Sequence, residues 1–291
     1  MLLFPLLLLL LAAAPQAQST DTAFHLTIGV ADAAPVIDGV LDSDEWAGAA
    51  LASNFIQFEP RRGAFATQRT EVLVLQDDVA LYVAYRVWDS QEPTAQVTRR
   101  DAQLTSDDMV GFTLDTYRDR QTAYLFMTNL LGTQQDARVA DDGRTIDNAW
   151  DAEWESAAAR TDFGWTEEVA IPFSSLRYQA GENRVWGINF GRTIRRSLEF
   201  SFWAGPLDAV ARISQSGVLS GLDLPRPPRP VDVIVHGLMR AADGTDSEWD
   251  GGVDVRLSPD PSVTINATVN PDFATIEADR EQVNLSRFEL S

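Results

Sequence analysis

The sequence of 291 residues contains no cysteine and no lysine. Without cysteine the chain has no disulfide, no thiol nucleophile and no thiolate ligand for a metal. All 23 basic residues are therefore arginines, and against 43 acidic residues they leave a formal net charge of −20. An acidic surface repels phosphate backbones and anionic lipids, so the composition argues against nucleic acids and anionic membranes as partners.

The sequence also has few groups that commonly carry out catalysis. Its two histidines, His25 and His236, are far apart in the chain and match no nucleophile–base arrangement. It contains no glycine-rich phosphate loop, HExxH helix or EF-hand loop. The remaining candidates are acidic residues that could form a glycoside-hydrolysing pair, namely Glu153, Glu155, Glu167 and Glu168. Because a separation in space defines such a pair, we predict a non-catalytic protein and keep a glycoside hydrolase as an alternative.

Two acidic segments raise the question of a metal. Residues 42–45 and 141–147 have the acidic density of a calcium loop. Both lack the alternating oxygen ligands and the terminal glutamate of that motif, so a solvated turn is the better interpretation. The residues alone leave metal binding open.

The clearest pattern in the chain is a long hairpin over residues 107–137. Val110, Phe112 and Leu114 alternate with smaller or polar residues, which is typical of a half-buried strand. Residues 117–120 supply a polar turn, and residues 122–129 predict the returning strand. One hairpin buries its apolar face only against a second sheet, so it predicts a sandwich or a barrel.

Similar short strands recur through the first two thirds of the chain, and no helix is long enough for a parallel crossover. We therefore predict an all-β fold, an antiparallel β-sandwich of immunoglobulin-like or jelly-roll-like type over residues 36–222. A helical turn is predicted at residues 172–176. The strands are predicted at residues 36–41, 55–58, 70–75, 80–88, 107–115, 122–129, 151–158, 165–171, 185–194 and 199–203.

The two ends of the chain have patterns that differ from that of the predicted sandwich. Residues 2–14 form an apolar run of thirteen that is too short to span a bilayer and is followed by small residues. We predict a secretory signal at residues 1–17, with an uncleaved anchor as the alternative, and an exported protein in the periplasm or outer membrane. Proline-rich residues 223–232 predict a linker. Residues 233–291 contain about four alternating strands, at residues 233–239, 252–257, 262–269 and 284–290, and we predict that they begin a larger domain.

Eight tryptophans are the most distinctive candidates for a ligand surface. An aromatic ring can stack on the C–H face of a sugar while nearby polar groups pair with its hydroxyls. Trp46, Trp165 and Trp186 lie within apolar patterns or beside a turn and are predicted core residues. The candidates for a binding rim are tryptophans next to polar or turn residues, together with two arginines that could pair with sugar oxygens: Trp88, Trp150, Trp203, Arg99 and Arg100.

The order of five segments resembles the family 9 carbohydrate-binding module. The segments are IDGVLDSDEW (37–46), DDVALYVAYRVWDS (77–90), DDMVGFTLDT (107–116), GWTEEVAIPFSSL (164–176) and VWGINFGR (185–192). The resemblance covers residues 36–222 and implies a β-sandwich that binds polysaccharide or oligosaccharide, often with calcium. It also implies an association with exported proteins of polysaccharide breakdown.

The same resemblance exposes a departure at the sugar clamp. Members that bind sugar hold it between two loop tryptophans, whose equivalents here are near Thr105 and in residues 211–216, where no tryptophan occurs. Gly111 stands where a glutamate is often found. The resemblance therefore implies the fold and leaves this clamp in doubt.

Residues 262–290 resemble the opening of a bacterial domain that is thought to form an outer-membrane barrel. Together the two resemblances imply a non-catalytic carbohydrate-binding module of an outer-membrane-associated protein. The alternative is a periplasmic plug or interaction domain that binds no sugar.

Overall fold

The computed structural model describes residues 24–226, 231–240, 248–260 and 263–269. The chain divides into two compact units between Arg226 and Pro227, a position inside the predicted linker at residues 223–232. The predicted signal at residues 1–17 lies outside the described residues. The two units are described separately below.

The first unit is a β-sandwich of two sheets. Strands over its described residues are β1 (His25–Thr27), β2 (Gly29–Val30), β3 (Ala50–Ala52), β4 (Ile56–Glu59), β5 (Thr70–Gln76), β6 (Ala80–Trp88), β7 (Met109–Asp115), β8 (Ala123–Asn129), β9 (Gln134–Ala140), β10 (Thr145–Asp147), β11 (Glu155–Thr161), β12 (Gly164–Pro172), β13 (Gly181–Ile194), β14 (Glu199–Phe202) and β15 (Gly217–Leu224). The predicted all-β sandwich is confirmed.

The predicted central hairpin lies in the middle of the larger sheet. This nine-stranded sheet has the order β1-β15-β13-β7-β8-β9-β10, with β14 and β4 joined to it through β13. Phe112 on β7 lies opposite Phe126 on β8 and Phe190 on β13. The Phe126 ring stacks on the Phe112 ring at a centroid distance of 5.4 Å, and the Phe190 ring is tilted against Phe112 at 6.4 Å, so the hairpin supplies the centre of the core.

The smaller sheet has the order β11-β12-β6-β5-β2, with β3 on β5. Pairing is antiparallel except for β1 on β15 and β2 on β5, which are parallel. The largest side chains between the two sheets are fully buried, among them Trp165 and Trp186, each 1% exposed. Trp46 is 4% exposed, so all three tryptophans predicted to be core residues are buried.

Sequence and structure differ at several places in this unit, which also contains the short strands β1, β2, β3 and β10 that were not predicted. Residues 36–41 form no strand but lie in the segment whose Ile37, Leu41 and Trp46 pack on the outer face of the smaller sheet. The strands β9 and β15 were not predicted, because QQDARVA and GVLSGLDL carry few of the β-branched and aromatic residues that mark a strand. The predicted helical turn is present as a 3-10 turn, Phe173–Ser175.

The second unit contains the strands β16 (Val231–Arg240), β17 (Glu248–Asp260) and β18 (Val263–Val269). They form one antiparallel sheet in chain order. Each overlaps a predicted strand, and the fourth, at residues 284–290, lies outside the described residues. Among the residues that the structure describes, no helix is both long and apolar enough to cross a membrane.

Candidate functional site

A groove of about 370 Å³ crosses the outer face of the nine-stranded sheet. Its floor is formed by residues of β7, β8 and β13 that alternate with core residues. On β7, Val110, Phe112 and Leu114 point into the core, so Gly111 and Thr113 face the groove. The alternation that builds the core therefore also builds the floor of the groove.

Two glycines deepen the groove at its centre. Gly111 on β7 lies opposite Gly191 on β13. A Cβ on Gly111 would lie 2.6 Å from the carbonyl oxygen of Phe126, and one on Gly191 would lie 3.0 Å from the ring of Phe202. Neither position has room for a side chain without movement, so backbone forms the lowest part of the floor.

Apolar side chains form the walls of the groove. Met127 stands beside Gly111 on one side, and the half-buried rings of Phe200 and Phe202 line the other. On β14 the usual alternation is inverted, because Glu199 and Ser201 are 1% and 0% exposed while the two phenylalanines face outward. The flat phenylalanine rings suit the C–H face of a sugar ring.

Polar groups surround these walls. Gln103, Thr105 and Asn148 are exposed at the rim. Arg212 also lines the groove, and its Nη1 lies 3.0 Å from Oδ2 of Asp142. Amide and hydroxyl groups at the edge of an apolar hollow can pair with sugar hydroxyls, which fixes the orientation of a ligand.

Asn189 holds the loop that borders the groove. Its Oδ1 accepts a hydrogen bond from the Ala204 amide at 2.9 Å, and its Nδ2 donates to the Ala204 carbonyl at 3.1 Å. The chain that leads from β14 to the Arg212 side of the groove is thereby tied to β13.

The three tryptophans predicted at a binding rim do not meet at this groove. Trp203 is 6% exposed, and its ring lies 5.6 Å from both the Phe24 and the Phe190 rings, so it is a core residue rather than a rim residue. It packs inward because its neighbours on β14 alternate in the inverted sense. A ring enclosed in this way offers no face to a ligand.

Trp150 is half-buried against the core. Its ring centroid lies 4.8 Å from that of Tyr124 and 6.0 Å from that of Phe126. Trp150 follows a polar loop, which was the reason for predicting it at a binding rim. Its ring nevertheless turns towards the core of the sandwich.

Trp88 is half-buried on the smaller sheet, where it lines a second hollow of about 550 Å³. Its ring stacks on Phe163 at 4.9 Å, and the guanidinium carbon of Arg69 lies 4.2 Å from the ring centre. Both contacts cover ring surface that a sugar would need. Trp88 is therefore not brought to the groove.

The two predicted arginines have different surroundings. Arg99 is exposed. The Arg100 guanidinium lies among oxygen atoms: its Nη2 is 2.7 Å from Oδ1 of Asp151 and 3.3 Å from Oδ2 of Asp136. It also donates to the side chain of Gln134. Arg100 therefore binds protein carboxylates in this structure rather than projecting towards the groove.

The family resemblance implies calcium, and three aspartates are candidates to hold it. They are Asp101, Asp136 and Asp151, called the aspartate cluster below. One carboxylate oxygen from each lies within 4.8 Å of the others. Burial raises the pKa of Asp136, although the indole N–H of Trp154 donates to it at 2.8 Å and opposes the shift. Carboxylate oxygens are the ligands that calcium prefers, so the donor set fits this ion.

The two buried glutamates considered for catalysis lie on opposite sides of β12. Glu167 points into the core, where Oε1 accepts a hydrogen bond of 2.8 Å from Thr128, and burial raises the pKa of Glu167 well above its ordinary value. Glu168 faces outward and accepts from Trp46 Nε1 at 2.8 Å and from the Gly39 amide at 2.9 Å. Because successive residues of a strand face opposite sides, these two cannot act on one substrate.

Comparison with known proteins identifies the sandwich. A family model described as "Carbohydrate family 9 binding domain-like" matches residues 37–193, which is more than half of the chain. The chain belongs to this family. A comparison with curated protein sequences finds no significant match.

Solved structures share the fold of this family member. A family 9 carbohydrate-binding module from Caldicellulosiruptor kristjanssonii in complex with cellotriose has a TM-score of 0.51 at 18% identity and covers 69% of this chain and 92% of its own. The same kind of module in complex with glucose gives 0.51 at 16%, covering 71% and 100%. A putative carbohydrate-binding protein from Bacteroides uniformis gives 0.55 at 13%, covering 68% and 98%. At these identities the likeness shows the fold.

The positions at which the family resemblance implies a sugar clamp lie at the groove. Thr105 and Ala211, where the resemblance implies clamping tryptophans, both line the groove, and Gly111 lies on its floor. This member of the family thus keeps a hollow between the two clamp positions but lines it with phenylalanine and methionine.

Sequence reasoning missed the side chains that form this groove. The signal available was β14, in which Phe200 and Phe202 alternate with the polar Glu199 and Ser201. Alternation alone does not say which set is buried, because either set can face the core. Only the neighbouring strands settle that choice.

Proposed function

We propose that the sandwich binds a neutral glycan, without catalysis, in the groove of the nine-stranded sheet. The observation that carries this proposal is a groove with a backbone floor at Gly111 and Gly191, apolar walls at Met127 and Phe202, and a polar rim. A sugar ring has the matching surface, with apolar C–H faces and a polar edge. The glycan replaces the water over both walls while its hydroxyls pair with the rim.

The fold neighbours support this ligand class. Two of them are complexes with cellotriose and with glucose, and both of these are neutral sugars. In our proposal the ring enters between Phe202 and Met127, which takes the place of stacking between two tryptophans. A phenylalanine face is smaller than an indole face, so we expect weaker binding than a tryptophan clamp gives.

Charge favours a neutral glycan over an acidic one. The formal net charge of −20 repels uronate polymers. Arg212, a cation on the groove lining, is already paired with Asp142, which also accepts hydrogen bonds from the Ser214 amide and hydroxyl at 2.8 and 2.9 Å. A uronate would have to compete with that carboxylate for the guanidinium.

We further propose that the protein acts outside the cytoplasm, as the sugar-binding part of an outer-membrane-associated protein of polysaccharide breakdown or uptake. The apolar residues 2–14 support export, and the resemblance over residues 262–290 supports the outer membrane. An outer-membrane barrel is then the protein partner, and the glycan is the ligand. Protease accessibility in whole cells and in spheroplasts tests the location.

Calorimetric titration of the full chain with neutral oligosaccharides tests the binding proposal. Phe202→Ala should weaken binding by about 1–3 kcal/mol, the range for truncation of a buried contact residue. Trp88→Ala is the matched control, because it removes a larger ring on the other sheet and should leave affinity unchanged. Equal affinity in both variants would remove the groove from the site. An absence of heat with every neutral glycan would reject sugar binding and favour the plug or interaction domain.

A further inference from the structure

We propose that the groove is the inner part of a longer binding surface, which continues over β14 and β4 to Phe65 and takes an extended oligosaccharide chain rather than a single sugar. Phe58 and Phe65, called the outer platform below, form a second sugar subsite outside the groove. The inference rests on the proposed glycan binding and adds to it the length of ligand that the sheet accepts.

Directly opposed residues of neighbouring strands form one row across the nine-stranded sheet. From β8, β7, β13, β14, β4 and the turn after β4, the row is Met127, Gly111, Gly191, Phe202, Ile56 and Phe65. Opposed residues point to the same face of a sheet, so the row belongs to the outer face that carries the groove. Five strand intervals make it about 24 Å long, which is several times the width of one sugar ring.

The alternation on β4 extends the apolar wall of the groove. Gln57 is 0% exposed, so its neighbours Ile56 and Phe58 face outward, and both are half-buried. The Phe58 ring meets the Phe202 ring edge-on at a centroid distance of 6.3 Å. The backbone of Gly205 lies against Ile56, since a Cβ on Gly205 would be 3.2 Å from the Ile56 Cβ. The exposed apolar path therefore runs from Phe202 over Phe58.

Phe65 is the far end of this path. Its side chain is 73% exposed, the largest exposed fraction of any large apolar residue in the part of the chain that the structure describes. Its backbone is held, because its carbonyl oxygen accepts a hydrogen bond of 2.7 Å from Nε2 of Gln57. Phe65 is the diagonal neighbour of Phe58, a distance that aromatic side chains span. Contiguous exposed rings on a fixed backbone indicate a binding surface.

Polar contacts tie the outer platform to the border of the groove. Nη2 of Arg62, in the turn before Phe65, lies 2.7 Å from Oδ1 of Asp208. Nε2 of Gln215 donates to Oδ2 of the same aspartate at 2.7 Å. The Arg62 and Asp208 side chains are 50% and 61% exposed, so they can also pair with sugar hydroxyls beside the rings.

The size of the path fits a sugar chain better than a protein or a second copy of this chain. The rings of Phe58, Phe65 and Phe202 offer at most about 600 Å² together. A stable protein interface takes about 800 Å² on each partner. Exposed Glu59 and Arg61 border the path and keep it narrow. An oligosaccharide is equally narrow and presents C–H faces in succession along its length.

The dependence of affinity on chain length tests the proposal. The full chain is titrated calorimetrically with glucose oligosaccharides of two and six units, in β-1,4, β-1,3 and α-1,4 linkages. In the series that binds best, six units should bind about tenfold tighter than two, the equivalent of one further stacked ring. Phe65→Ala should remove this gain and leave the affinity for two units unchanged. Tyr117→Ala is the matched control, because this aromatic residue is 42% exposed between β7 and β8, and it should keep the gain.

Failure of this inference and failure of glycan binding give different results. If two units bind but six bind no tighter, or if Phe65→Ala keeps the gain, the outer platform is not a sugar subsite. Absence of heat with every oligosaccharide would reject glycan binding itself and this inference with it. Sedimentation velocity examines a second copy as the occupant. A wild-type dimer that Phe65→Ala dissociates, without any effect of chain length, would assign Phe65 to a dimer interface and overturn the proposal.

Discussion

The outer faces of the two sheets are built from the same kind of alternating strand, yet one is covered and the other is open. On the smaller sheet, Leu75, Tyr82 and Ala170 turn outward and are buried by the segment that carries Trp46. On the larger sheet, Met127 and Phe202 turn outward and remain half-buried along a groove.

The difference shows what determines whether an apolar outer face belongs to the fold or to a ligand. The segment over the smaller sheet is anchored by polar contacts, since Glu168 accepts the Trp46 indole N–H and the amides of Asp38 and Gly39. Over the larger sheet, Ile213 packs only at the side, against Ala123 and Val139, and leaves the glycine floor uncovered. The covered face stabilises the protein, and we infer that the open face binds a ligand.

Replacing Trp46 breaks the covered side of this comparison and should have the largest effect. Trp46→Ala removes a side chain that is 4% exposed and takes the indole donor away from Oε1 of Glu168, so the free energy of unfolding should fall by about 3–5 kcal/mol. Urea denaturation measures the change. Trp46→Phe keeps most of the packing and isolates the hydrogen bond. Phe202→Ala should be measured in the same way. If the free energy of unfolding falls equally in Trp46→Ala and Phe202→Ala, the two faces contribute alike to stability.

Filling the groove floor tests the open side and should have an intermediate effect. In Gly111→Ala the new carbon would lie 2.6 Å from the Phe126 carbonyl oxygen and 2.8 Å from Met127, so strand movement should cost about 1–3 kcal/mol of stability. Glycan affinity should fall in the same variant. In Gly191→Ala the tightest contact is with the ring of Phe202, at 3.0 Å, and this substitution should cost less stability. Undiminished affinity in Gly111→Ala would place the ligand elsewhere.

A pH series examines the interior that the two faces share, and the change that it produces over one pH unit should be the smallest of the three effects. Burial raises the pKa of Glu167, so the folded state keeps a proton that the unfolded state releases. Stability should therefore be greatest below the unfolded pKa of about 4.3 and fall as pH rises above it, by at most about 1.4 kcal/mol per pH unit.

Glu167→Gln should flatten this dependence, measured by urea unfolding between pH 5 and pH 8. Glu155→Gln, on an exposed edge strand, is the control and should retain the wild-type slope. Equal slopes in wild type and Glu167→Gln would mean that Glu167 is ionised in the fold.

The sequence by itself determined the class of fold and the inward faces of its central strands. Val110, Phe112 and Leu114 are predicted and found in the core, because period-two alternation and apolar burial are local properties that a single strand displays. Five segments in order also gave the family, since each segment combines a strand with its turn. The covering of the smaller sheet by residues 36–49 was not predictable, because Trp46 meets Glu168 from 122 positions away.

Only the tertiary structure decided where the groove and the aspartate cluster lie. Trp88, Trp150 and Trp203 were chosen for size and neighbouring polar residues. Their exposure depends on Phe163, Tyr124 and Phe24, which come from other parts of the chain. Asp101, Asp136 and Asp151 likewise share no motif, because three separate segments bring them together around Arg100. Alternation fixes that a side chain points up or down from a sheet, while what lies above it is set by strand order and by the loops that cross the sheet.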